Sequence, residues 1–440
     1  MTTAIYSKGK ANTTLILLLL AYILSFIDRN VMSVLIGPIR EDFNISDFQY
    51  SILHGFAFSM FYITLGIPIA RMADKYNRFN IISGGIVIWS AMTCLCGFAK
   101  NFISLFFARM GVGLGEAALS PAAFSILSDI YEKDKLPLAT AIYSLGITLG
   151  GGLAYILGSQ TYNFFSNLDL SSNFFLSNIS AWQLTFIMVG LPGFVIALAI
   201  KFLPEPSRRF SQNEATVIIT GPSVKDVLLY FRLHWKIYLG IIGSMSLMSV
   251  LGYGIMAWYP ELLIRIYEVD RNIAGSRFGL IFIISGSFGA LIGGWICSRL
   301  IKVGVIDAPI RIILAVSILW LIPSVFAPLS SSAEIAFLMV WPIIFFLNSY
   351  FGIGVTAIVM ISPENMRAQA SAVLLFFTNL FGLAFGPTVV ALLTDFIYFD
   401  DNALDASLSL LPLLVLPLAC FLSFLSLRPY RELITSKHDL

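Results

Sequence analysis

A chain of 440 residues that is 58% hydrophobic and only 12% charged cannot hide its apolar surface in a soluble core, since ordinary soluble domains carry about 25% charged residues. It must use lipid as solvent, and repeated long apolar runs mean helices rather than a barrel. The formal net charge of +2 does not argue for nucleic acid. Three histidines and four cysteines (Cys94, Cys96, Cys297 and Cys420, all inside apolar segments) supply neither a metal centre nor a disulfide framework.

In chain order, the first apolar stretch, 15–36, lacks a small-residue cleavage site and runs through Asp28-Arg29-Asn30. It reads as a retained helix rather than a signal peptide. Further spans are predicted at 47–70, 80–99, 102–129, 136–158 and 182–203. The next stretch, PEPSRRFSQNEATVIITGP from Pro204 to Pro222, differs from everything before it in charge and proline content. It reads as a linker near the midpoint. Ser223-Val-Lys-Asp226 has the pattern of a capping box opening an amphipathic helix to Lys236 in the membrane interface. Six more spans are predicted at 235–263, 273–300, 308–327, 335–360, 367–395 and 408–427. The expected fold is all-α and integral to the membrane, with twelve transmembrane helices in two pseudo-symmetric six-helix bundles. The bundles are 1–203 and 237–440, the second with a cytoplasmic tail, and the linker with its interfacial helix occupies 204–236.

Loop charges set the orientation. With the N-terminus inside, the inner segments hold Lys8, Lys10, Arg71, Lys75, Arg78, Lys133, Lys135, Lys201, Arg208 and Arg209, against Arg40, Lys100, Arg265, Arg271 and Arg277 outside. The positive-inside rule then puts both termini in the cytoplasm, as a bacterial inner-membrane protein would have them. Asn44 and Asn178 begin sequons on outer loops.

The fourth span carries the chemistry. Arg109 and Glu116 lie seven residues apart, on nearly the same helical face, and Gly113 and Ser120 share that stripe. Gly111, Gly115, Ala118 and Ala122 form an opposite, small-residue stripe that admits a close neighbouring helix. Pro121 removes the bond to the Ala117 carbonyl, so a kink is expected. Asp28 lies about 20 Å along an outward-running helix, and Arg109 about 10 Å below the outer face of an inward-running one. The two are thus expected at similar depth and paired, with Glu116 deeper as the proton-responsive group. An ionisable residue at such depth marks a pathway, with a static buried ion pair as the structural alternative. Asp28, Arg109 and Glu116 are therefore the proton-coupling candidates. His54, Phe58, Tyr143, Tyr253, Asn348 and Asn379 are candidates for the substrate cavity. A neutral His54 bonded to a neighbour, and plain packing for the others, are the alternatives. No Gly-rich phosphate loop with its lysine is present, which argues against an ATP-driven pump, and no nucleophile or metal set suggests an enzyme. No cofactor is expected, and the protein is read as a monomer.

The halves echo each other. Ala70-Arg-Met-Ala-Asp74-Lys75-Tyr-Asn77-Arg78 follows the second span, and Gly294-Trp-Ile-Cys-Ser298-Arg299 follows the eighth. Such a repeat is typical of two-bundle transporters with a midplane site, and a channel or receptor would not require it. On these residues, and on Arg109, Gly113 and Gly115, the chain resembles the major facilitator superfamily. Both glycines of the superfamily's loop pattern are replaced while its charges stand. The resemblance implies a cytoplasmic gate of Asp74, Lys75, Arg78, Asp129 and Arg299. Gly146, Gly150 and Gly151 lack the proline of the antiporter signature, leaving symport or antiport open. Within the superfamily the chain is most similar to the spinster family. The similarity rests on Phe26-Ile-Asp28-Arg29, Gly113-Leu-Gly115-Glu116-Ala117, Gly146 to Ser159, Val189-Gly-Leu-Pro192-Gly193 and Pro204-Glu205-Pro206. It implies transport of a lysolipid or sphingoid-type amphiphile, and the titratable residues of the first and fourth spans suit proton coupling. Organic-anion symporters, which share the Asp-Arg and Glu-Ala pairs, are the second reading.

Overall fold

The computed structural model describes residues 8–132, 135–168, 179–207 and 224–438, with the Asp74 side chain outside that set. Ser223 of the expected capping box, Asn178, Lys133, Arg208 and Arg209 also lie outside the described residues. All regular structure among the described residues is helical. Eleven segments are long and apolar enough to cross a membrane, and a continuous helical run over 47–75 adds a twelfth long helix. The protein is a multi-pass membrane protein. In chain order we label the helices α1 (Gly9–Val34), α2 (47–75), α3 (Arg78–Cys96), α4 (Phe102–Ile130), α5 (Leu136–Ser166) and α6 (Ala181–Lys201). Then follow the short α7 (Val224–Leu233), α8 (Trp235–Arg265), α9 (Arg271–Lys302), α10 (Ala308–Phe326), α11 (Ala333–Ile361), α12 (Gln369–Tyr398) and α13 (Asp401–Ser436).

Local chemistry fixes several helix starts. Ser46 and Gln49 cap α2 reciprocally, as Asn101 and Ser104 cap α4, and Ser180 with Gln183 caps α6. Asn77 stands where the superfamily pattern has glycine. Its φ is −65°, which requires no glycine, and its side chain accepts a hydrogen bond from the Asn80 N–H at 2.9 Å, capping α3. In α4 the helix breaks at Ala117–Ala118 and resumes at Leu119. The Ala118 N–H there reaches back only three residues, to the Gly115 carbonyl. Pro121, four residues beyond Ala117, supplies the expected cause.

The chain forms two compact units, residues 1–212 together with Val269–Ile283, and 213–268 with 284–440. In the first, α3 packs on α4 and α6, and α1 on α5. The small-residue stripe of α4 faces α3. A Cβ added to Gly85 would lie 2.7 Å from both the Ala118 methyl and the Gly115 carbonyl, and one added to Gly115 would lie 2.6 Å from the Gly85 carbonyl. Segment 269–283 joins this unit because Gly275 lies against Ser159 of α5 and the Phe278 ring meets Tyr155 edge-on at 4.8 Å.

In the second unit α8 packs along α13 and on α12. The Trp258 indole donates to the Pro387 carbonyl at 2.9 Å, and the Tyr259 hydroxyl to that of Ala336 at 3.1 Å. At one end of this unit Asp307, just before α10, accepts from Arg311 at 2.8 Å and from two nitrogens of Arg431 at 2.8 and 2.6 Å. Burial alone would raise the Asp307 carboxyl, but the hydrogen bonds and charges of the two arginines outweigh it and hold the group below its ordinary range.

A depressed carboxylate stabilises the fold above its unfolded-state range and loses that contribution as pH falls through its folded value. Asp307→Asn should therefore destabilise the protein at neutral pH by about 1–2 kcal/mol, given that both arginines are half exposed. The gap to wild type should narrow as the pH is lowered toward the carboxylate range. Thermal unfolding in detergent reads this out, and a gap that stays the same at both pH values would remove the ionised carboxylate from the account.

Candidate functional site

The site lies in the first unit and begins with a change of helix type. The regular turns of α1 end at Asn30 and give way to a tighter turn over Val31–Val34. At such a transition carbonyls lose their regular partners. Arg109 of α4, fully buried, donates to two of them, the Asp28 carbonyl at 3.1 Å and the Arg29 carbonyl at 3.4 Å.

The side chains divide differently from the expected Asp28–Arg109 pair, and this corrects the sequence reading. Glu116, whose residue is 2% exposed, accepts from Arg29 Nη2 at 2.6 Å and from Ser25 Oγ at 2.7 Å. The Arg29 guanidinium also sits over three rings, Phe58 at 4.6 Å, Phe26 at 4.7 Å and Tyr62 at 4.9 Å. A cation so enclosed gains from the ring faces as well as from the carboxylate. Asp28 instead faces Trp89 and Thr93 of α3, within electrostatic reach of Arg109 and Glu116. Its Oδ1 has no hydrogen-bond partner among the described residues. The reason is rotation. Residues 28 and 29 point about 100° apart around α1, so matching depth cannot tell which of them meets α4.

The remaining candidates distribute as follows. Phe58 is buried between the two arginines, 5.7 Å from Arg109. Close by in sequence, His54 lies in a π turn of α2, Ile52–Phe56, and stacks on Tyr50. Such turns recur at functional sites. Tyr143 of α5 stacks flat on Tyr22 of α1 at 4.5 Å, its hydroxyl 3.4 Å from Ser120 on the charged stripe. The other three belong to the second unit. Tyr253 packs against Gly382 and Gly386, and Asn379 precedes the π turn Leu380–Phe385. Asn348 donates to the Ile344 carbonyl of its own helix at 3.0 Å.

Of the expected gate residues, Arg78 and Asp129 meet. Arg78 is buried and ion-pairs with Asp129 and, at 2.7 Å, with Glu205. It also donates to Ser125 Oγ at 2.9 Å and to the Pro206 carbonyl at 3.1 Å. Lys75 and Arg299 are exposed. The sequence reading missed Ser25, Arg29, Tyr62 and Glu205 as site residues. Arg29 and Glu205 stood in motifs singled out for their resemblance, which was the available signal.

The sequence matches the profile of the Major Facilitator Superfamily over residues 18–387. It is 26% identical over 383 residues to an MFS-type efflux pump of Mycolicibacterium smegmatis, covering 86% of this chain and 83% of that one. It is 25% identical over 393 residues to the sphingosine-1-phosphate transporter SPNS2 of Danio rerio, covering 85% and 74%. A bacterial homologue of the human lysosomal transporter Spinster, crystallised in an inward-facing and unoccupied conformation, superposes with a TM-score of 0.82. The two are 27% identical, over 97% of this chain and 99% of that one. These relatives are transporters, not enzymes.

Breaking a buried ion pair from one side leaves a lone charge and costs about 3–5 kcal/mol. Arg29→Gln and Glu116→Gln should each lower the melting temperature of the purified protein. The double variant should lose clearly less than the sum of the two. Strict additivity would mean that the two side chains do not act as a pair.

Proposed function

The chain belongs to the major facilitator superfamily, and we propose that it is a proton-coupled secondary transporter of an amphiphilic, lipid-like small molecule, working by alternating access. The observation that carries this reading is the buried group of two carboxylates and two arginines, Asp28, Glu116, Arg29 and Arg109, within one bundle. Buried charges are costly unless paired, and here the pairing is uneven. Glu116 accepts from an arginine and a hydroxyl on Oε2, while its Oε1, like Asp28 Oδ1, has no hydrogen-bond partner among the described residues. Neutralising Glu116 gives up its ion pair with Arg29 at 2.6 Å, whereas no ion pair holds Asp28 among the described residues. We therefore assign the transported proton to Asp28, rather than to the Glu116 expected from the sequence. Glu116 keeps Arg29 in its aromatic enclosure. Arg109, whose hydrogen bonds among the described residues go to carbonyls of α1, is the cation that turns toward Asp28 once the proton leaves.

The amphiphilic substrate is supported by the similarity to the spinster proteins, one of which bears the name of a sphingosine-1-phosphate transporter. An arginine ringed by Phe26, Phe58 and Tyr62 suits an anionic head with an apolar tail beside it. The same arginine favours the second reading, an organic-anion symporter, for which the anion alone would suffice. The loop charges support an inner-membrane location with both termini in the cytoplasm. Arg78, with Asp129 and Glu205, fits the cytoplasmic gate.

Asp28→Asn fixes a neutral side chain of nearly the same shape. In proteoliposomes it should abolish acceleration by an imposed pH gradient while leaving substrate exchange at equal pH measurable. Glu116→Gln should instead weaken substrate binding and stability. Full gradient-driven transport by Asp28→Asn would return the coupling role to Glu116 or His54. A screen of lysolipids and sphingoid bases against small organic acids, read by thermal shift, decides between the two substrate classes.

A further inference from the structure

We propose that the second unit binds the headgroup of an anionic phospholipid in a cleft where α7 and α8 meet the end of α13. Helix α7 is ten residues long, too short to span a bilayer. Yet Leu228, Leu229 and Leu233 are 62%, 67% and 74% exposed, and Trp235 follows at 50%. Leu229 and Leu233 are one helical turn apart, on one face, and Lys225 and Arg232 are exposed on the same short helix. An exposed face that mixes leucines with basic residues, on a helix of a membrane protein, belongs at the level where acyl chains meet headgroups.

Beside that strip lies a cleft of about 430 Å³, lined by His234, Trp235 and Lys236 on one side and by Pro429, Glu432 and Ser436 on the other. The Lys236 ammonium stands 5.8 Å over the Trp235 ring, an ammonium and an amphipathic ring at one interfacial point. Glu432 is the acidic residue of the lining, and its carboxylate is engaged by Arg428 at 2.8 Å. That pair is exposed, so Arg428 offsets part of the Glu432 charge facing an incoming anion. Helix α8 starts at Trp235 with no side chain capping it among the described residues. The Ile237 and Tyr238 N–H groups bond the His234 carbonyl, and the start of the helix adds only its dipole's partial positive charge at the cleft. A phosphodiester matches the ammonium and the helix start, and its acyl chains match the leucine strip. A soluble anion would use only the first of these, and a neutral lipid only the second.

The test uses the full chain in lipid vesicles and tryptophan quenching by phospholipids brominated near the glycerol end of their chains. The contribution of Trp235 is the difference between wild type and Trp235→Phe. Brominated phosphatidylglycerol should quench it several-fold more than brominated phosphatidylcholine at equal mole fraction. Lys236→Ala should reduce that preference, Lys236→Glu should abolish or reverse it, and Lys236→Arg should keep it. Lys236 is exposed, so these variants should fold. Equal quenching by the two lipids would overturn the proposal, as would a preference that survives Lys236→Glu. Loss of the phosphatidylglycerol signal on adding millimolar inorganic phosphate would assign the cleft to a soluble anion and overturn it equally.

Discussion

Everything at the centre of the first bundle follows from burying four ionisable side chains, Asp28, Arg29, Arg109 and Glu116, among closely packed helices. The Arg29–Glu116 contact at 2.6 Å is the principal solution. It ties α1 to α4 through a charge-assisted bond, and three aromatic rings close around the cation. Once Arg29 is committed, Arg109 must find acceptors elsewhere and takes the carbonyls that the tightening end of α1 makes available. Asp28 is then left facing α3. The order of these dependencies explains why the local helix type at Val31–Val34 matters as much as the identity of the charged residues.

Much of this was legible in the residues. Composition and apolar runs are enough to give helical spans, because in lipid each helix must satisfy its own backbone. Asn101 and Pro121 mark the start and the break of α4 for simple steric and hydrogen-bonding reasons. The stripe of Gly111, Gly115 and Ala118 points to close packing, and its partner is α3. What was not legible is rotation and long-range partnership. Asp28 and Arg29 are neighbours in sequence but point to different helices, and only the packing of α1 against α4 decides which reaches Glu116. Glu205 sits beyond the end of α6, where arguments from membrane depth do not apply. Its partner Arg78 is 127 positions away. The aromatic enclosure draws one ring from α1 and two from α2, a combination that no single periodicity announces.

Close packing and polar chemistry also share helices without competing. Gly111 and Gly115 serve α3, while Gly113 approaches Phe58 of α2, the ring that also covers Arg29. A side chain larger than hydrogen at Gly113 would collide with the Phe58 backbone. It would also shift a wall of the charged site. Glycine in α4 therefore sets the distance between the carboxylate and the rings as well as the distance between helices.

The two bundles close corresponding ends with opposite polarity. At the start of α3 the clamped residue is a cation, Arg78, held by acids that follow α6 and end α4. At the start of α10 it is an anion, Asp307, held by arginines of α10 and α13. The repeat has kept the position of the fastening and exchanged its sign. A half-swapped chimera carrying the α3 start opposite the end of α13 would set arginine against arginine. The duplicated halves are in this respect no longer interchangeable, and a search for the repeat by residue identity would pass over this pair of fastenings.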